Sequence, residues 1–213
     1  MNIKITRDLN KLLFGSFLFL LIPFIGTAQK DWELAKSKNG IEVFTKDAPG
    51  WPIKAYFARG MVKVDYRTAM DYMLQLNKRK EWVQDCSASD VLHKEGDSIS
   101  IVYFHIDTPW PTSDRDMVLK IMPDSNAEKG ATFFRFEGMA HYIPEKEDIV
   151  RINKATGYWK VRYVDETMVE ISTQGKSETG GDLPEWLANM FVTESPYQSI
   201  ENLRAILGAP QSR

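Results

Sequence analysis

The sequence predicts an α+β domain in which a curved antiparallel β-sheet wraps around a long C-terminal α-helix. Three observations support this prediction. Seven strand-like segments follow one another between residues 87 and 176 without a helix between them. Helical periodicity is found before and after them. The regular alternation of strands and helices that a parallel sheet requires is missing.

The N-terminal segment, residues 1–28, is predicted to be a signal peptide. Three basic residues precede an apolar run of 14 residues, 12–25, and small residues follow it at 26–28, which is the pattern of a cleaved secretory signal. The alternative is an uncleaved membrane anchor, but the run is shorter than the ~20 residues that span a bilayer. We therefore expect an exported protein, periplasmic or extracellular, whose domain covers residues 29–213.

Charge and composition exclude several classes of function. Removing residues 1–28 takes away three Lys/Arg and one Asp, which leaves 24 basic and 28 acidic residues and a net charge of −4. This balance argues against a nucleic-acid partner. Cys86 is the single cysteine, and His93, His105 and His141 show no metal-ligand spacing. We expect no metal, no cofactor and a monomeric protein.

The first elements of the mature chain are predicted from turn and helix signals. A short helix is predicted near residues 31–36, followed by strands at 40–46 and 53–64. Asp65 is a typical N-cap for the helix that follows, because apolar residues recur after it at helical spacing. A shorter helical segment is predicted over residues 78–82.

The later strands alternate between a bulky apolar face and a polar or charged face. Arg135, Lys160 and Arg162 occupy the polar face. The apolar face is predicted to line a ligand cavity of at least ~300 Å³, and the alternative is that these side chains fill a dry core. The predicted ligand-binding residues on the strands are Val102, Phe104, Ile106, Met117, Leu119, Phe134, Phe136, Trp159, Val161 and Tyr163.

The last segment, residues 183–207, is predicted to be a long helix that lies against the apolar face of the sheet. Pro196 is expected to kink it, and the Gly180-Gly181 pair precedes it as a flexible joint. One hypothesis is that the front half of this helix, residues 183–191, moves away from the loop around Trp110 when ligand enters. The alternative is that the glycines and the proline only shape a static connection. Its predicted ligand-binding residues are Leu187, Met190, Phe191 and Leu203.

Five ordered motifs resemble the START (StAR-related lipid-transfer) family of the helix-grip superfamily, and the resemblance covers nearly all of residues 31–207. The motifs are NGIEVF at 39–44, PWPTSDRD at 109–116, EGMAHYIPEKEDIVRI at 137–152, GGDLPEWLANM at 180–190 and ENLRAIL at 201–207. The chain resembles a bacterial-type exported member of this family. The resemblance implies a helix-grip fold that encloses a lipid-sized cavity. It also implies that the Trp110 loop forms one wall of the cavity mouth and that Arg115 and Arg151 form structural ion pairs.

The sequence departs from the ligand patterns of this family. Sterol-binding members of the family resemble one another in that they carry a buried acid and an arginine on two adjacent strands. The matching positions here are the apolar Val102 and Ile121. A sterol hydroxyl would lack a partner, which costs ~1–3 kcal/mol. Phosphatidylcholine-binding members use an arginine for phosphate and aromatic rings for choline. Trp159 and Tyr163 could supply rings, but no inward-facing arginine is recognisable, so the ligand stays unnamed.

Three functional hypotheses follow. The first is non-enzymatic binding or transfer of a lipid or other apolar small molecule, with transient membrane contact through apolar groups at the cavity mouth. The second is a helix-grip enzyme of cyclase or hydrolase type, with candidate acids and bases at His105, Asp107, Glu137 and His141. Strand alternation places the first three of these opposite the aromatic face, which favours binding. The third is a scaffold or stress protein with a vestigial cavity.

Overall fold

A computed structural model describes residues 32–181 and 183–208. The elements before the main run of strands are β1 (Glu33–Lys38), β2 (Ile41–Lys46), β3 (Ala55–Val62), α1 (Tyr66–Met73) and a 3₁₀ helix (Leu76–Glu81). The next strands are β4 (Cys86–Glu95), β5 (Ile99–Ile106), β6 (Arg115–Asp124), β7 (Ala131–Gly138), β8 (Val150–Arg151), β9 (Ala155–Asp165) and β10 (Met168–Ser177). The C-terminal elements are α2 (Glu185–Asn189), a π-helical turn (Met190–Glu194) and α3 (Ser195–Leu207).

Nine of these strands form one antiparallel sheet in the order β1-β2-β3-β10-β9-β7-β6-β5-β4, and the short β8 pairs with β6 in parallel. The sheet is curved, and the C-terminal helical segment lies against it. The predicted α+β helix-grip architecture is confirmed. None of the described helices has the length and apolar character needed to cross a membrane.

The first predicted helix is wrong, because residues 33–38 form the edge strand β1. Leu34 and Ala35 are good helix formers, but Leu34 is exposed, so no buried helical face supports their local preference. Asn39 and Gly40, with φ of 53° and 69°, make the tight turn that joins β1 to β2. An Asn-Gly turn of this kind is a strong hairpin signal. Pairing with β2 therefore overrides the weak helix preference.

The predicted helix after Asp65 is confirmed as α1. The Asp65 carboxylate accepts a hydrogen bond from the backbone N–H of Thr68 at 2.9 Å, as an N-cap does. This bond lowers the pKa of Asp65. The predicted short helical segment at 78–82 is a 3₁₀ helix over Leu76–Glu81.

The main core lies between the concave face of the sheet and the C-terminal helix. Tyr197, Ile200 and Leu203 of α3 are buried in it. Gly60 of β3 permits this close packing, because an added Cβ would lie 2.9 Å from Ile41 Cγ1 and 3.0 Å from Ile200 Cγ2. The small size of this residue lets α3 approach the sheet.

The opposite face of β5 and β6 is also covered, which strand alternation did not predict. Ile101, Tyr103 and Val118 form a second buried cluster, and Met139 and Ile143 from the segment after β7 pack against it. The pattern indicated a polar face because charged and polar residues follow at the end of β5. The sheet therefore has two covered faces at this edge.

A buried ion pair holds this covering segment in place. Arg151 donates from Nε to Asp116 Oδ1 at 2.6 Å and from Nη2 to Asp116 Oδ2 at 3.1 Å. The same guanidinium also donates to the carbonyls of Ala140, Ile143 and Pro144. The structural ion pair expected for Arg151 is present, and hydrogen bonding to Asp116 raises the pKa of Arg151.

The C-terminal helical segment runs from residue 185 to 207 with a π-helical turn in its middle. Pro196 follows this turn in the first turn of α3, where a missing N–H is tolerated. The discontinuity predicted at Pro196 is therefore a π-helical turn at Met190–Glu194. Such turns are wider than an α-helix and are frequent at functional sites.

Candidate ligand cavity

A largely apolar cavity lies between the concave face of the sheet and the π-helical turn and first turn of α3. Its volume is about 150 Å³, which is smaller than the ~300 Å³ expected from the sequence. Enclosure of a whole lipid chain therefore requires the cavity to widen. The C-terminal helical segment contributes Phe191, Ser195, Pro196 and Ser199 to its wall.

Eight of the fourteen predicted ligand-binding residues line this cavity. Phe136 packs closely over Gly157, where an added Cβ would lie 2.7 Å from the Phe136 ring. Strand alternation therefore predicted the direction of the seven side chains that lie on strands, and contact of all eight with a ligand stays a prediction. The eight are Phe104, Ile106, Met117, Leu119, Phe134, Phe136, Trp159 and Phe191.

The other six predicted residues do not line the cavity. Val102, Val161, Leu187 and Leu203 are fully buried by protein packing, and Met190 is partly buried in the π-helical turn. The expected place of Tyr163 at the cavity wall is wrong, because it is 46% exposed and its ring contacts Tyr66. The cavity occupies one part of the apolar face, and protein packing fills the rest.

Arg79 is an inward-facing arginine that the sequence pattern did not reveal. It projects from the 3₁₀ helix into the cavity wall and is 4% exposed. Its Nε and Nη2 atoms are buried and have no hydrogen-bond partner within the described residues. The guanidinium carbon lies 5.2 Å from the centre of the Trp82 ring and 6.0 Å from that of the Phe134 ring.

The electrostatic surroundings of Arg79 leave its charge uncompensated. Burial lowers the pKa of Arg79 to about 10, so the guanidinium is still charged at neutral pH. Cys86 is the neighbouring group that affects this pKa, but burial raises the pKa of the Cys86 thiol to about 12. The thiol is therefore neutral and does not balance the arginine.

The sequence contained a signal for this arginine that depends on the helix type. Arg79 lies in the charged run from 78 to 81, which is typical of a solvated surface. In a 3₁₀ helix, however, residues three apart share one side. Arg79 is three residues after Leu76 and three before Trp82, both buried, so this period places it on the inner side.

Polar residues gather at one side of the cavity. Glu178 pairs with Lys154 at 2.9 Å, and the Lys176 ammonium lies 4.8 Å from the centre of the Trp51 ring. Lys176, Glu178 and Thr179 all contribute to the cavity wall. This polar rim directly precedes the Gly180-Gly181 joint in the chain.

The loop that carries Trp110 is held by its own hydrogen bonds. Asp114 accepts from the Thr108 backbone N–H at 2.9 Å and lies 3.0 Å from His105 Nε2, and these bonds lower the pKa of Asp114. Trp110 is 90% exposed and is not among the residues that line the cavity. None of residues 107–114 lines the cavity, so the expectation that the Trp110 loop forms one wall of its mouth is wrong.

Arg115, the other arginine for which the resemblance implied a structural ion pair, does not form one in the described part of the chain. Its Nη1 donates to the Ser113 carbonyl and to Thr108 Oγ1, while its Nε is buried without a partner. No salt bridge links Arg115 to an acid within the described part of the chain. Arg115 thus supports the loop through hydrogen bonds.

The candidate acids and bases lie outside the cavity. His105, Asp107 and Asp114 form a group whose ligand atoms lie within 4.8 Å of one another at the base of the Trp110 loop. Glu137 and His141 are exposed. None of the four residues considered for catalysis, His105, Asp107, Glu137 and His141, contributes to the cavity wall.

Comparison with known proteins identifies relatives of this chain. The START domain family model matches residues 22–120. A StAR-related lipid transfer protein from Xanthomonas axonopodis is 31% identical, with a TM-score of 0.74 over 84% of this chain and 99% of that one. An uncharacterised protein of Pseudomonas aeruginosa is 31% identical over 176 residues, 83% of this chain and 86% of that protein.

Two further matches are more distant in sequence. The mouse phosphatidylcholine transfer protein is 23% identical over 164 residues, 75% of each chain. Human StAR-related lipid transfer protein 5 is 17% identical, with a TM-score of 0.71 over 85% of this chain and 88% of that one. The 31% identity to the Xanthomonas protein over 84% of this chain and 99% of that one shows that this chain belongs to the START domain family.

Proposed function

We propose that this protein binds a lipid or other apolar small molecule without chemical conversion and transfers it outside the cytoplasm. The observation that carries the proposal is the apolar cavity, which is walled by aromatic and aliphatic side chains such as Phe104, Phe134 and Trp159. Burial of a hydrocarbon chain gains ~0.8 kcal/mol per CH₂, so such a cavity binds without a reaction. The relatives named as lipid transfer proteins support the same proposal.

The position of the titratable groups supports binding over catalysis. A general acid or base must come within hydrogen-bond reach of its substrate, yet His105 and Asp107 lie at the base of the Trp110 loop. Glu178 is the one carboxylate among the described lining residues, and it pairs with Lys154. The alternative helix-grip enzyme would need its acid or base at this rim.

Extraction of protein purified from its own host tests this proposal. We expect mass spectrometry of the extract to find a bound apolar molecule, and labelled lipid to pass between vesicles faster when the protein is added. Conversion of the bound molecule to a product would favour the enzyme instead. An empty cavity together with no transfer would favour a vestigial cavity.

We also propose export and transient membrane contact. Export rests on the signal-peptide pattern of residues 1–28, and N-terminal sequencing of protein from host cell fractions tests it. Membrane contact rests on the exposed Trp110, which is held on a hydrogen-bonded loop. We expect Trp110→Ser to slow lipid transfer and Tyr142→Ser, another exposed aromatic, to leave it unchanged. Equal rates for both variants would contradict a specific role of Trp110.

A further inference from the structure

We propose that His105, Asp107 and Asp114 form a binding site for a divalent metal ion such as Zn²⁺ at the base of the Trp110 loop, residues 107–114. One ligand atom from each of these three residues lies within 4.8 Å of the other two. None of the three residues contributes to the wall of the ligand cavity. The proposed metal site is therefore separate from the proposed lipid site and does not depend on it.

The distances between the ligand atoms fit the coordination of one ion. The Nε2 atom of His105 lies 3.0 Å from Asp114 Oδ2 and 3.5 Å from Asp107 Oδ1. Zn²⁺ binds imidazole nitrogens and carboxylate oxygens at about 2.0–2.2 Å, and tetrahedral geometry then separates neighbouring ligand atoms by roughly 3.4 Å. Asp107 is exposed, so a small rotation of its carboxylate brings all three groups around one ion.

The charge of the group favours a divalent cation. A histidine carries at most one positive charge, whereas the group contains the carboxylates of Asp107 and Asp114. Within the described part of the chain neither carboxylate forms a salt bridge with a lysine or an arginine. Arg115 acts on Asp114 at longer range, because its Nη1 donates to the Ser113 carbonyl and to a threonine hydroxyl. A divalent ion would match both carboxylates.

Hydrogen bonds orient both carboxylates for such an ion. Ser87 donates from Oγ to Asp107 Oδ1 at 2.6 Å, and the backbone N–H of Thr108 donates to Asp114 Oδ1 at 2.9 Å. The second bond leaves Asp114 Oδ2, the oxygen beside the imidazole, for the ion. Partners that orient ligands in this way typically contribute about 10–100-fold to metal affinity. An imidazole between two oriented carboxylates is a mixed nitrogen and oxygen ligand set that first-row metals bind.

The three ligands come from the two ends of the Trp110 loop. His105 lies in β5, Asp107 follows its last residue, and Asp114 directly precedes β6. The spacing of the histidines predicted no metal site, because a single histidine takes part and the other ligands meet it only in the folded chain. An ion bound here would join the two ends of the loop and hold Trp110 in its exposed position.

Titration with Zn²⁺ of protein purified without an affinity tag and treated with a chelator tests this site. We expect one equivalent to bind, and His105→Asn and Asp114→Asn each to weaken the affinity at least about ten-fold. His93→Asn, which removes an exposed histidine of β4, is the matched control and should bind as the wild type does. The proposal would be overturned by absence of saturable binding, by unchanged affinity in both ligand variants, or by an equal loss in the control.

Hydrogen exchange in the wild-type protein gives a second test that does not require any variant to fold. With free Zn²⁺ at roughly ten times its dissociation constant, exchange of the Thr108 amide should slow about ten-fold, because opening of the loop releases the ion. The Thr167 amide donates to Asp165 Oδ1 at 2.8 Å in a turn elsewhere and serves as the internal control. Amide exchange measured by NMR that slows equally at both positions, or at neither, would overturn the proposal.

Discussion

Arg151 and Arg79 are buried to the same extent, each 4% exposed, but only Arg151 has a carboxylate partner among the described residues. Asp116 and three carbonyls surround Arg151 and fix the segment that covers the outer face of β5 and β6. Arg79 faces a cavity instead, with two nitrogens free. The comparison separates a charge that supports the fold from a charge that faces the cavity without a partner among the described residues.

The first and largest effect is expected when the paired arginine loses its partner. Asp116→Asn leaves the Arg151 charge buried without a counter-charge, so we expect the free energy of unfolding to fall by about 3–5 kcal/mol. Urea denaturation measures this change. An unchanged dependence of the free energy of unfolding on urea concentration shows that the folded state is otherwise intact. A loss below about 1 kcal/mol would mean that this pair acts like a surface pair.

Replacement of the unpaired arginine is expected to raise the free energy of unfolding instead of lowering it. Arg79→Met removes two unsatisfied buried donors and an uncompensated charge, so the ligand-free protein should become more stable by about 1–3 kcal/mol. The same denaturation measurement applies, on protein freed of ligand. A decrease in stability would show that Arg79 has a structural role after all, and would erase its contrast with Arg151.

The smallest effect is expected for an arginine on the surface. Arg59 pairs with Glu42 at 2.7 Å, but both side chains are exposed. Glu42→Gln should therefore lower the free energy of unfolding by no more than about 1 kcal/mol, and added salt should reduce the difference further. A loss as large as that of Asp116→Asn would mean that burial is not what distinguishes these arginines.

Most of the fold could be predicted from the sequence because its signals are local. Asp65 marked the start of α1, and period-two alternation placed Phe104, Met117 and Trp159 on the concave face. Alternation fixes side-chain direction regardless of what lies opposite. It does not fix burial, and Tyr163 near the end of β9 remains half exposed for that reason.

The candidate site was less predictable because it depends on contacts between distant segments. Val161 and Trp159 are two residues apart on β9 and point to the same side, yet packing buries Val161 completely and leaves Trp159 beside the cavity. Arg79 was hidden in a charged run because its direction depends on a 3₁₀ helix. The packing around Val161 is not encoded in the spacing of neighbouring residues, and the spacing of Leu76, Arg79 and Trp82 indicates the inner side only when the helix type is known.

The sequence by itself determined the order of the strands along the chain, the apolar face of the sheet and the start of α1, since these follow from backbone geometry over a few residues. Tertiary structure decided which part of that face stays open and that Arg79 points into it without a counter-charge. It also decided that residues after β7 cover the outer face of β5 and β6. The physical reason is that empty space and unpaired charge depend on how the helix and loops pack on the sheet, which brings together residues far apart in the chain.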